Sequence, residues 1–156
     1  MTASVWRIAV EAPSYAANDL SGAGAKISGG RWNNAGIAML YASASIALAA
    51  LETLSYIRAG SLPFNRFLVR IDIPDAIWQA RLLPPSLPGG WDAIPCGCTG
   101  RAFGDAWIAG RASALLLVPS VLIPDEQNIL LNPGHPDMAH IVATTVKRWA
   151  CDPRFF

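Results

Sequence analysis

Residues 37–60 read IAMLYASASIALAALETLSYIRAG, and they carry two periods in succession. From Ile37 to Ala42 the side chains alternate, with Ile37, Met39 and Tyr41 on one face and Ala38, Leu40 and Ala42 on the other, which predicts a strand ending near Tyr41. The stretch that follows, Ser43 to Ala59, has strong helix formers and no proline. Ser43 or Ser45 can cap its start, and Gly60 stops it. Glu52 is the only acid in this helix, set among Leu48, Leu51 and Leu54 with Ala49 and Tyr56 on its own face. A carboxylate in such surroundings is suited to stabilising a developing cation, as in cleavage at an anomeric carbon. It can equally be a rim residue or a partner of Arg58.

Upstream, residues 20–36 read LSGAGAKISGGRWNNAG, a glycine-rich stretch predicted to be an irregular loop. It fails the dinucleotide template G-x-G-x-x-G. The Gly24 to Gly29 gap suits a phosphate loop, but Gly30 and Arg31 follow where Lys and Ser or Thr are needed. What remains is a Gly29-Gly30-Arg31 turn whose backbone N–H groups could form an anion nest beside a bidentate guanidinium. Arg31 can alternatively be a surface arginine paired with an acid. Trp32 beside it offers an aromatic face for stacking. Further upstream, Trp6, Ile8 and Val10 alternate with Val5, Arg7 and Ala9, the pattern of a half-buried strand.

Downstream, Pro63 opens a turn and Phe67–Ile73 alternates as a strand up to Pro74. Residues 74–98 are rich in proline and are expected to hold at most a short strand or turn around Trp78–Leu83. Residues 99–112 suggest a helix weakened by Gly104 and Gly110. Leu115–Val118 reads as a buried strand, and Asn128–Leu131 as an apolar segment before the turn at Asn132-Pro133-Gly134. Met138, Ile141, Val142 and Val146 give the stripe of a final helix from Asp137 to Trp149.

A length of 156 residues argues for one domain, residues 1–156. Charged residues make up 15%, with 12 basic against 11 acidic, which disfavours a nucleic-acid binder held by a basic surface. Only Lys26 and Lys147 are lysines, so the positive charge is mainly guanidinium, suited to phosphate or carboxylate. No signal peptide or membrane span is recognised, and the expected compartment is the cytosol. Cys96, Cys98 and Cys151 fit a reducing environment, and a single Cys-x-Cys is poor support for zinc. His135 and His140 are five apart and would not share a helical face, so a metal pair is not expected. Ser120 has no nucleophile elbow around it.

Taken in order, Gly29-Gly30-Arg31-Trp32-Asn33, Leu40-Tyr41-Ala42-Ser43, Ala47 to Glu52, Asp105-Ala106-Trp107, Val118-Pro119-Ser120-Val121 and Asn128 to Pro133 resemble the RES domain family, toxins of bacterial toxin–antitoxin pairs. Asn34-Ala35 departs from the pattern, where prolines would be expected. The resemblance implies an α+β fold similar to ADP-ribosyltransferases, an antiparallel sheet core with flanking helices, and an activity that destroys NAD. It implies that Arg31 grips the NAD phosphates, Tyr41 packs on the nicotinamide or its ribose, Glu52 is the catalytic carboxylate and Ser120 completes the pocket, with Gly30, Trp32 and Asn33 beside the substrate. NAD would be substrate, with no metal or other cofactor required. The implied partners are a helix-turn-helix (Xre-type) antitoxin covering the active-site mouth and a second copy in a homodimer, with no nucleic acid or membrane. Water, phosphate or a macromolecule could accept the ADP-ribose. A non-catalytic nucleotide-binding module and a ribonuclease toxin are the competing readings; the second would want a basic groove that two lysines and a net charge of +1 do not offer.

Overall fold

A computed structural model describes residues 2–57 and 65–155. Arg58, Gly60 and Pro63, invoked above as a partner of Glu52, a helix stop and a turn, lie outside the described residues. Strand β1 (Thr2–Val10) leads into the glycine-rich stretch, which contains a short helix, α1 (Ala23–Ser28). The expected loop is thus partly helical: Gly22 enters it with φ 71° and Gly29 leaves it with φ 70°, both in the left-handed region open to glycine. Strand β2 (Leu40–Ser43) and helix α2 (Ile46–Tyr56) follow as read, with the strand starting three residues later than predicted. Ser45 is the N-cap, its hydroxyl accepting from the Leu48 N–H at 3.1 Å.

Strand β3 (Arg66–Pro74) runs into α3 (Asp75–Gln79), a helical turn where a short strand or turn was expected; Leu82 then bridges to Leu116. Helix α4 (Cys98–Gly110) precedes β4 (Leu115–Pro119) and β5 (Gln127–Leu131). The predicted final helix is instead a 3-10 turn, Pro136–His140, and a strand, β6 (Val142–Arg148). Val142, Thr144, Thr145 and Val146 are β-branched and stiff in a helix. β6 pairs with β3 from Asp72↔Val142 to Phe67↔Arg148. Of the supposed stripe, Val142 and Val146 are exposed, so the apolar spacing there did not mark a buried face.

The fold is α+β, with six strands ordered β4-β5-β2-β1-β3-β6 and every named pair antiparallel. The pairing is uneven. β1 follows β3 along its whole length, from Thr2↔Pro74 to Val10↔Arg66, but meets β2 in register only at Trp6↔Ser43. The sheet is therefore two three-stranded parts joined by one rung, and beyond that rung the strands part. One face packs Val5, Ala9, Val69, Ile71, Leu115 and Ile129 into a core. The other has two smaller clusters: Ile8 and Leu68 against Ala49 of α2, and Met39, Leu116 and Leu130 against Trp32 and Trp107. Burying a large aliphatic chain contributes about 1.5–3 kcal/mol, so both faces clamp the strands that flank the gap.

Candidate active site

Where β1 and β2 part, a cleft of about 410 Å³ opens, lined among others by Arg7, Tyr15, Gly30, Tyr41, Glu52 and Arg66. Glu52 enters it from α2. Ala49, one turn earlier, is buried against the sheet, and that packing turns the Glu52 side of the helix toward the gap.

The carboxylate is held by two neutral donors. Ser120 Oγ donates to Glu52 Oε1 at 2.6 Å, and Asn128 Nδ2 donates to the same oxygen at 2.7 Å. Each donor is itself fixed. Ser120, 0% exposed, accepts from the Leu122 and Ile123 N–H groups at 3.1 and 3.2 Å, so its own proton is directed at Glu52. Asn128 accepts from Ser43 Oγ at 2.7 Å, across the β2–β5 register pair Ser43↔Asn128. No cation of the described residues forms an ion pair with Glu52. Its negative charge is thus oriented without being neutralised. From the sequence Asn128 had no site role and Ser43 only that of a possible helix cap; the cross-strand register is what sets Ser43 behind Asn128 and Asn128 against the acid.

Tyr41 lines the cleft and is fixed by its phenol, which donates to Asn33 Oδ1 at 2.6 Å and accepts from the Trp32 N–H at 3.1 Å. Burial pushes this phenol well above its ordinary value, an effect the Trp32 hydrogen bond only partly offsets. Asn33, 0% exposed, spends its amide on the Ala25, Asn34 and Ile37 carbonyls, so it staples the loop. Gly30 sits so close that a Cβ there would lie 2.7 Å from the Tyr41 hydroxyl.

The proposed anion nest does not form. The Gly29 N–H donates to Ala25 O, the Gly30 N–H to Asn33 O, and the Trp32 N–H to the Tyr41 hydroxyl oxygen. Trp32 is 3% exposed, stacked on Trp91 at 6.0 Å and edge-on to Phe103 at 5.9 Å, and lies in the core instead of on the cleft wall. Gly104, expected to weaken α4, is what lets that helix seat this turn: a Cβ there would stand 1.7 Å from Trp32 O. Arg31 Nη1 donates to the carbonyls of Trp91 and Ala93, both at 2.9 Å, which anchors one end of its guanidinium to the 91–93 loop. Arg31 therefore has its protein partner in carbonyls, not in an acid.

Two other arginines, Arg7 and Arg66, line the cleft, whereas Arg31 is not among its lining residues. Arg7, on β1 next to the single rung, projects to the core face between Val5 and Ala9. Its Nε is buried and unpartnered, and burial lowers its pKa, with Asp19 and then Tyr15 acting in the opposite sense. Arg66, which opens β3 opposite Val10, also has a buried, unpartnered Nε. In the sequence Arg7 drew no attention, because a single arginine in an alternating strand reads as solvent-facing. The signal was its place between two core residues.

Residues 4–153 match the RES domain. The chain belongs to the RES domain family. Relatives of this RES chain are named as toxins. It is 52% identical to a Prs ADP-ribosylating toxin of Sphingobium sp. (strain YBL2), covering 99% of this chain and 97% of that protein. It is 38% identical to a Toxin Res of Yersinia enterocolitica, covering 90% and 92%. Its fold is similar to a chain of the M. tuberculosis MbcT–MbcA toxin–antitoxin complex, with TM-score 0.66 and 17% identity over 94% of this chain and 85% of that one. The resemblance carried by six short segments thus extends over nearly the whole chain, which is a RES domain toxin. Among the described residues no three His, Cys, Asp or Glu side chains group closely enough to hold a metal ion. None of the described helices is long and apolar enough to cross a membrane.

Proposed function

We propose that this RES toxin consumes NAD by breaking its nicotinamide–ribose bond. The observation that carries the reading is the Glu52 carboxylate, fixed on the cleft wall by Ser120 and Asn128 and left without a counter-cation among the described residues. When the C1′–N bond breaks, its electron pair leaves with neutral nicotinamide and the ribose becomes an oxocarbenium-like cation. A fixed anion beside C1′ is what that step needs. The acceptor's oxygen then bonds to C1′ and gives up its proton. Tyr41 is suited to pack against the nicotinamide or its ribose. Arg7 is suited to the diphosphate, and the free N–H groups of Arg31 could hold the same ligand from the loop side. Ser120 and Asn128 are positioning residues.

Water would make the enzyme a glycohydrolase, inorganic phosphate a phosphorylase, and a macromolecule an ADP-ribosyltransferase. The name of the 52% identical relative favours the last, with a Prs-type protein as the first acceptor to try. We assign the chain to a toxin–antitoxin pair, with a helix-turn-helix (Xre-type) antitoxin over the cleft mouth and a homodimeric toxin. Incubation with NAD alone, with phosphate, and with Prs, followed by product identification, distinguishes free ADP-ribose, ADP-ribose 1″-phosphate and a modified protein. Unchanged NAD in every arm would refute the reading and leave a binding module.

A further inference from the structure

The chain gives its arginines two different treatments. Arg31 donates to the Trp91 and Ala93 carbonyls, Arg70 pairs with Asp72, and Arg101 donates to Gly30 O; Arg81 also has a buried, unpartnered Nε, but it stacks on Trp78 and donates to its carbonyl through Nη1. Arg7 and Arg66 line the cleft, have their Nε atoms buried, and have no hydrogen-bond partner among the described residues. Burying part of a guanidinium without an acceptor is unfavourable, and the arrangement is coherent where a ligand supplies the anion. Arg7 sits against the rung at Trp6. Arg66 faces Val10, three residues further along β1, about 10 Å at strand rise. By strand alternation Arg7 stands on the Val5 and Ala9 face and Arg66, level with Val10, on the Ile8 face, so the two reach the open edge of β1 from opposite sides and line one cleft across which an extended anion can lie.

We propose that Arg66 is a specificity-determining residue, a second cationic contact that with Arg7 selects a diphosphate-bearing ligand over a monophosphate one. Tyr15 lines the same cleft and acts electrostatically on both guanidiniums. Burial lowers the pKa of Arg66, and no carboxylate acts to restore it. Asp19 lies within electrostatic reach of Arg7 but is occupied by the Ser21 hydroxyl and N–H. The inference rests on the NAD reading for its natural ligand, though not for its test.

The test compares wild type, Arg66→Gln and Arg66→Lys with two pairs of probes. The first pair is NAD and nicotinamide mononucleotide, which share the scissile bond and differ in having a diphosphate or one phosphate. Arg66→Gln should lower kcat/KM for NAD roughly 10- to 100-fold, mainly through KM, and change that for the mononucleotide less than about 3-fold. Arg66→Lys should recover part of the loss. The second pair is ADP-ribose and AMP, measured by calorimetry without turnover, where Arg66→Gln should abolish a preference for ADP-ribose. Equal loss on both members of a pair, with an unchanged Tm, would overturn the inference, as would full retention on NAD. If wild type cleaves nothing, the NAD reading falls while the calorimetry still decides: Arg66-dependent ADP-ribose binding upholds the diphosphate site, and no binding by wild type overturns it. Should Arg66→Gln fail to fold, Arg66→Lys carries the same comparison.

Discussion

On one wall of the cleft the Glu52 carboxylate has an oxygen held by Ser120 and Asn128, each braced in turn by its own partners. On the other, Arg7 and Arg66 present guanidiniums with buried, unpartnered Nε atoms. The difference lies in when each group meets its partner. An anion that must act at one carbon during bond breaking gains from being fixed beforehand, because no reorganisation is then needed at that moment. Cations that hold a ligand gain their acceptors only when it arrives, so the free protein carries their desolvation as a standing cost.

The comparison breaks most sharply at Glu52. Glu52→Gln keeps the shape of the side chain and can still accept from Ser120 and Asn128 through its carbonyl oxygen, but the charge is gone. NAD cleavage should fall about 10³-fold with the thermal transition near wild type. Retained activity at unchanged Tm would show that the fixed acid is structural. Next comes Arg7→Met. Cleavage should fall roughly 100-fold, yet stability should rise by about 1 kcal/mol because a half-buried guanidinium with an unpartnered Nε is replaced by an apolar chain of similar length. Loss of both activity and stability would mean that Arg7 has a protein partner in the free state and that the two walls are built alike.

These contrasts also mark what the sequence could convey. The unit from Leu40 to Tyr56 was legible because its local periods, its serine cap and its packing agree. Arg31, Tyr41, Glu52 and Ser120 were singled out through short ordered segments; the structure places Tyr41 and Glu52 on the cleft and joins Ser120 to Glu52 by a hydrogen bond, while Arg31 is turned to the Trp91 and Ala93 carbonyls. β6 was not legible, since Met138, Ile141, Val142 and Val146 fit a helical spacing while the pairing with β3 that fixes the strand is a contact 70 residues away in the chain. For the same reason the part that Asn128 and Ser43 play at the acid was not legible: register decides their meeting. Trp32 and Asn33 stand beside Arg31 in sequence, but α4 turns them into the packing and hydrogen bonds that support the loop.

Tyr41 tests whether that loop belongs with the fixed wall. Removing its hydroxyl in Tyr41→Phe leaves Asn33 Oδ1 without its donor and the Trp32 N–H without its acceptor, both in largely buried surroundings. The expected cost is about 1–3 kcal/mol in chemical denaturation. Because burial raises the phenol's pKa, the neutral form is the folded state's preference, and stability from this group is lost only as alkaline pH ionises the unfolded chain. A pH titration should therefore show wild type losing stability relative to Tyr41→Phe only above about pH 10, the ordinary tyrosine value. A difference that already varies near neutral pH would contradict this assignment.

The smallest effect belongs to Ser120→Ala, and it tells most about how the acid is held. One of two donors to Oε1 is removed while Asn128 remains, so Glu52 keeps its charge and loses part of its orientation. Cleavage should fall about 10-fold in kcat with KM little changed, the signature of an interaction that matters at bond breaking. In the Glu52→Gln background the same substitution should have almost no further effect, because a positioning residue has nothing left to position. Additive losses in that double variant would mean that Ser120 acts on the substrate directly. The fixed wall would then hold two independent contributors in place of one braced carboxylate.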